Sequence, residues 1–200
     1  MTEVEFTPWP KTPRLFRNMV VTEKIDGTNA AIRVTQDGHC VAQSRNRIIT
    51  PENDNAGFAA WVREHESLLI WDLGVGIHFG EWWGDGIQRG YGLPRGERRF
   101  SLFNTVRHLS RGDVTPQFDV PGLGIVPVLF HGTFSTGEIG IQLRNLATFG
   151  SKAAPGFMRP EGVCVYHSAS RQVFKVLIEN DEIPKAQYLQ LANENNPVAA

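Results

Sequence analysis

Cysteine is scarce in this chain: Cys40 and Cys164 are the only two in 200 residues. Both fall in strand-like runs, away from any metal-ligand spacing. Two such thiols read as buried side chains, which argues against a disulfide-stapled scaffold and fits a reducing cytoplasm. The six histidines show no ligand spacing either. No uninterrupted apolar run approaches the span of a bilayer. The acidic start, Met1-Thr2-Glu3-Val4-Glu5, is unlike a secretory signal, so no membrane association is expected. Net charge is only -1, so a polyanionic partner must be met by a local patch. Repeats and low-complexity tracts are absent. What remains is a chain 41% hydrophobic, enough for one sizeable core and one domain over 1–200.

The patterning predicts an α+β fold on antiparallel sheets with few, interspersed helices. Residues 19–23 read as a strand running into Lys24. Residues 30–34 and 39–43 flank Gln36-Asp37-Gly38, a hairpin turn. Helical spacing of Phe58, Trp61, Val62, Leu68 and Leu69 predicts a core helix over 55–69, with Asp54 as cap. Strands follow at 76–82 and 99–104, around a glycine-rich loop from Gly84 to Gly96. A strand over 125–130 precedes a helix over 137–149 with Ile139, Leu143 and Leu146 on one face. Residues 162–167 and 172–178 form a second hairpin, and 183–195 a tail helix within 181–200, Pro184 being tolerated in its first turn.

Several short segments carry chemistry. In Glu23-Lys24-Ile25-Asp26-Gly27-Thr28-Asn29 a strand end fixes an amine, and the glycine lets a large ligand approach. Lys24 is either a nucleophile, freed by nearby cations or partial burial, or an ordinary turn lysine. Arg45 and Arg47, two apart on a strand, point the same way and suit phosphate or sugar; the alternative is a solvated strand edge. Glu81, between glycines and bulky aromatics in Phe79-Gly80-Glu81-Trp82-Trp83-Gly84, is costly to bury without a partner such as a ribose hydroxyl. Otherwise it is an exposed loop carboxylate. The Gly84–Gly96 loop has the wrong spacing for a dinucleotide fingerprint and reads as a solvated loop or flap, with Arg89, Arg95, Arg98 and Arg99 giving local positive charge. Phe100 and Phe103 lie either both in the core, the preferred reading, or on opposite faces with one stacking on a base. Glu161 and Lys175, on paired strands, either converge on a phosphate and its metal or form a cross-strand salt bridge.

Taken in order, these segments resemble the motifs of the covalent nucleotidyltransferase superfamily of polynucleotide ligases and mRNA capping enzymes, and most closely those of the ATP-dependent RNA ligase family. The resemblance spans residues 20–180 and implies an ATP-grasp-like ligase core. It makes Lys24 the adenylated residue, with nucleotide contacts from Glu23, Ile25, Asp26, Gly27, Asn29, Arg45, Glu81, Phe103 and Lys175, and with Glu161 as metal-binding carboxylate. ATP and Mg²⁺ or Mn²⁺ are the implied cofactors, and RNA ends, a nicked duplex or DNA the implied partners. Where the family's fifth motif has a second lysine this chain has Leu177; Lys152, Arg159 and Lys185 are candidate substitutes. Little sequence follows that motif, so a minimal core without an OB-fold is expected, its grip on nucleic acid shared with its own surface or a protein partner. Two rival readings are a GTP-dependent capping guanylyltransferase and a non-catalytic nucleotide- or RNA-binding relative.

Overall fold

The computed structural model describes residues 5–109 and 116–179. The predicted tail helix and Lys185 lie outside the described residues. In chain order the elements are β1 (Asn18–Lys24), β2 (Thr28–Val34), β3 (Cys40–Ser44), α1 (Phe58–Glu64), α2 (Glu66–Leu73), β4 (Gly76–Gly84), β5 (Arg98–Leu102), α3 (Thr105–His108), β6 (Leu123–Ile125), β7 (Val128–Thr133), α4 (Thr136–Phe149), β8 (Gly162–His167) and β9 (Gln172–Leu177). They build two sheets, one of four strands in the order β7-β1-β8-β9 and one of five in the order β3-β2-β4-β5-β6. The α+β class is as expected. No helix among the described residues is long and apolar enough to cross a membrane.

Period-two patterning sets the faces of each sheet. In β1, Met19 and Val21 point into the core of the four-stranded sheet. There α4 covers them through Leu146, with Ile139 and Leu143 beside it. Helix α4 starts on a Ser-x-x-Glu pattern: Ser135 caps it by accepting from the Glu138 amide, and Gly150 at φ 80° ends it. In β2, Ala30, Ile32 and Val34 face α1 and α2 on the five-stranded sheet. The centre of that core is aromatic, with the Phe58 ring 4.9 Å from Phe100 and 5.3 Å from Trp82. A third cluster, made of Ile25, Trp83, Tyr91, Val126 and Ala154, fills the seam where the chain passes between sheets.

Four expectations need correction. The helix over 55–69 is two helices, α1 and α2, hinged at His65. Its start is delayed to Phe58 because Gly57 adopts φ 73°. Asp54 still caps it, accepting from the amides of Ala59 and Ala60. Leu68 faces solvent rather than the core, since the break rotates the second helix's stripe. The strand over 125–130 is split: β6 ends at Ile125 in the five-stranded sheet, and after Pro127 the chain re-emerges as β7 in the other. Finally, β5 and β6 pair in parallel, an exception to the antiparallel expectation. The hairpins β2–β3 and β8–β9 lie where the patterning put them.

Phe58 touches both the sheet, through Trp82, and the ring of Trp61 three residues on in the same helix. Truncation to alanine should cost about 3–5 kcal/mol, read as a fall in the urea midpoint with an unchanged slope.

Candidate active site

The sheets meet where β1 ends. Lys24 is the last residue of β1, and strand alternation turns it away from Met19 and Val21. Its Nζ donates to Glu161 Oε2 at 2.5 Å, with side chains 24% and 12% exposed. Glu161 immediately precedes β8, and its carbonyl accepts from the Ile178 amide. Pairing of Lys24 with Gly162 then fixes amine and carboxylate side by side. The pair is partly buried, so removing one partner leaves the other's charge unpaired and incompletely solvated.

From the second sheet comes Glu81, which is 8% exposed on β4. It accepts from the Gly27 amide at 3.1 Å and from Asn29 Nδ2 at 2.9 Å. Burial pushes its carboxyl up to about 7. Lys24 and the Gly27 amide pull it down, and the charges of Glu161 and Asp26 push it further up. The exposed-loop alternative for Glu81 is thereby overturned: it sits on a strand and has two donors. Packing requires glycine at position 27. A Cβ there would lie 2.5 Å from the Trp82 carbonyl and 2.8 Å from Trp83 Cβ, so only glycine lets the β1–β2 connection lie against β4.

The other predicted residues are placed as follows. Asp26 pairs with Arg89, Nε to Oδ2 at 3.1 Å, and its amide donates to Tyr91 Oη. Ile25 is buried in the seam. The Glu23 carboxylate is also buried, facing away from Lys24. It accepts from Ser151 Oγ and from the amides of Lys152 and Ala153, so only the backbone of this residue can reach a nucleotide on the Lys24 side. Burial raises its carboxyl above the ordinary range against the pull of those bonds and of Lys152. Lys175 lies exposed on β9, opposite Cys164, which in turn pairs with Thr22. The Cys164 thiol, pushed up by burial, feels Lys24, Glu161, Glu81 and Lys175, so Lys175 belongs to the same neighbourhood. Glu161 pairs with Lys24 and not with Lys175, contrary to the cross-strand salt-bridge alternative.

Phe100 is fully buried, while Phe103 is 43% exposed just beyond β5. Placing both in the core was therefore wrong. The Phe103 amide bonds to the carbonyl of Phe79, two residues from Glu81 on the same face of β4. Arg45 and Arg47 lie past the end of β3 on an exposed bend and not on a strand, and Arg47 reaches the Asn53 carbonyl. Arg45 follows Ser44, which pairs with Ala30, the residue after Asn29. The Gly84–Gly96 loop is no solvated excursion, because Ile87 and Tyr91 are buried and Arg89 grips Asp26.

A lysine at a strand end, flanked by carboxylates from two sheets, coincides with a family-level match. The family model for RNA ligase matches residues 17–177. The chain belongs to the RNA ligase family. Among solved structures it is similar to a Naegleria gruberi RNA ligase mutant with ATP and Mn, at 18% identity and a TM-score of 0.55, over 88% of this chain and 52% of that one. A second Naegleria gruberi RNA ligase mutant, with AMP and Mn, matches at 18% identity and a TM-score of 0.53, over 88% and 52%. An archaeal ATP-dependent RNA ligase matches at 20% identity and a TM-score of 0.51, over 86% and 48%. These likenesses establish a shared ligase fold, and the chain spans about half the length of each. No curated protein matches it.

Sequence reasoning missed the roles of Tyr91, of the Ser151–Ala153 turn, and of Arg89 as a partner of Asp26. The available signal was apolar: Ile87, Tyr91 and Leu93 recur in a loop that would otherwise be polar. Glu81 yields a pH test. Its folded value near 7 exceeds the ordinary 4.5, so the folded protein holds that proton more tightly than the unfolded chain does. Its stabilising contribution is complete below about pH 4.5 and is lost as pH rises through about 7, some 3 kcal/mol in all. Urea midpoints at about pH 5 and about pH 8 should differ less in Glu81→Gln than in the wild type.

Proposed function

We propose that this RNA ligase family member joins 5′-phosphate and 3′-hydroxyl ends of RNA at the expense of ATP, through a covalent lysyl-AMP on Lys24. The observation that carries this reading is the Lys24–Glu161 contact at a strand end, with Glu81 and Asp26 in electrostatic reach. An amine so placed is fixed for in-line attack, and positioning supplies much of the catalysis in phosphoryl transfer.

In the first step Lys24 Nζ attacks the α-phosphorus of ATP. A P–N bond forms, the α–β P–O bond breaks, and pyrophosphate leaves. The ammonium sheds two protons on the way to a phosphoramidate. The Glu161 carboxylate is the acceptor in reach for the first, and water takes the second. AMP then passes to an RNA 5′-phosphate, breaking the P–N bond. Finally the 3′-hydroxyl attacks that phosphate, and AMP leaves. Glu81 and Asn29 suit the ribose, Phe103 the purine face, and Lys175 a phosphate.

A divalent ion fits this chemistry. Among the described residues no cluster of three or more ligating side chains could cage one. A hard ion such as Mg²⁺ or Mn²⁺ held through Glu161 and completed by substrate phosphates needs no cage. When bound it would neutralise charge on the phosphates.

The Naegleria gruberi structures contain ATP or AMP with Mn, which supports the nucleotide and metal assignments for this chain. Incubation with α-labelled ATP and metal should label the wild type at Lys24, with GTP labelling far weaker; Lys24→Ala should remain folded and unlabelled. An adduct that persists in Lys24→Ala, or a wild type that binds nucleotide without ever forming one, would overturn the covalent reading.

A further inference from the structure

We propose that Arg89 is a polyphosphate-binding residue, taking the β- and γ-phosphates of the nucleotide in the first step only. This rests on the ligase reading above.

The β4–β5 loop holds Arg89 in place. Tyr91 and Ile87 are buried, and Tyr91 Oη accepts from the Asp26 amide. Asp85 bonds the Glu97 carbonyl through its amide and accepts from the Gly96 amide. Gln88 and Tyr91 adopt φ 46° and 51°, a left-handed backbone that non-glycine residues hold only when packing requires it. At the loop's tip Arg89 reaches Asp26 Oδ2 through Nε, and the carbonyls of Arg159 and Pro160 through Nη1 at 2.9 and 3.4 Å. Asp26 is two residues from Lys24, and Pro160 adjoins Glu161. The guanidinium therefore stands between the two segments that carry the nucleophile and its carboxylate.

Charge then decides what Arg89 is for. The site presents Asp26, Glu81 and Glu161 to an incoming polyanion, and Lys24 must be neutral to attack. Other cations have to offset that repulsion. Across the four-stranded sheet, the row containing Lys24 continues through Gly162 to Leu177, an apolar residue. Lys175 lies one pleat further back, in the row of Thr22 and Cys164. On the loop side the cation at the site is Arg89. Its side chain is 34% exposed. Two of its acceptors are neutral carbonyls, weaker partners for a guanidinium than phosphate oxygens. A triphosphate reaching Lys24 would recruit it from those carbonyls.

A pre-adenylated RNA end carries no β- or γ-phosphate of this kind to bind, so the role divides the reaction. The test uses the full chain and two assays: labelling of Lys24 against ATP concentration, and sealing of pre-adenylated RNA without ATP. Arg89→Ala should raise the ATP concentration for half-maximal labelling roughly ten- to a hundredfold, with sealing falling far less. Arg89→Lys, which keeps a cation for Asp26, should be intermediate and guards against misfolding of the alanine variant. Leu177→Lys placed in the Arg89→Ala chain should recover part of the ATP affinity, which no repair of the Asp26 or Arg159 contacts could do. Equal losses in both assays, an unchanged ATP dependence, or no recovery by Leu177→Lys would each overturn the proposal. Should the wild type form no adduct at all, the ligase reading fails separately. Equilibrium binding of ATP and of AMP then decides on Arg89, which must weaken ATP alone.

Discussion

One contact organises this molecule: Lys24 to Glu161, between residues 137 apart in sequence. Either charge is costly to leave unpaired at this partial burial, and the contact offsets that cost for both. Their pairing demands that β1 and β8 lie side by side with the register Lys24–Gly162. That register in turn sets Cys164 against Thr22, puts Lys175 in the adjoining row, and turns Val163 and Val165 into the core against α4. The four-stranded sheet is thus specified by its packing on one face and by an ion pair at one end.

The second constraint is the way two sheets are made to share that end. Residues 25–27 carry the chain from β1 to β2, and residues 126–127 carry it from β6 to β7; the Glu23 amide bonds the Pro127 carbonyl, tying the crossings together. Gly27 permits the close approach to β4 that brings Glu81 within reach of its amide. Tyr91 then closes the seam, its ring 5.2 Å from Trp83 and 4.5 Å from Phe157. Glu23 anchors the Ser151–Ala153 turn from the opposite side of β1. Adjacent residues of one strand end therefore do different work. Glu23 holds the scaffold, Lys24 faces the site, and Ile25 fills the joint.

Much of this was legible from local pattern. The β-branched run marked β1, and the strand-like runs around their turns marked both hairpins. The spacing of Ile139, Leu143 and Leu146 marked α4. What escaped were features in which a backbone conformation or a distant partner overrides the pattern. Gly57 in a left-handed conformation delays α1, and the break at His65 turns Leu68 outward. Pro127 splits one apolar run between two sheets. The Gly84–Gly96 loop looked solvated because its glycines dominate the composition, yet Ile87 ties it to the core of the five-stranded sheet, and Tyr91 and Leu93 tie it to the seam.

The amino-acid order by itself determined the type of most elements and which side chains are candidates for the chemistry, because periodicity and side-chain chemistry are local properties that survive without neighbours. It also determined the family, since the motifs occur in a fixed succession. Tertiary structure decided which groups act on one another: that Glu161 meets Lys24 and not Lys175, that Glu81 is buried with a carboxyl near 7, and that Arg89 pairs with Asp26. Such contacts depend on sheet register and on how closely two sheets approach. Both follow from packing across long sequence separations, which no local pattern encodes.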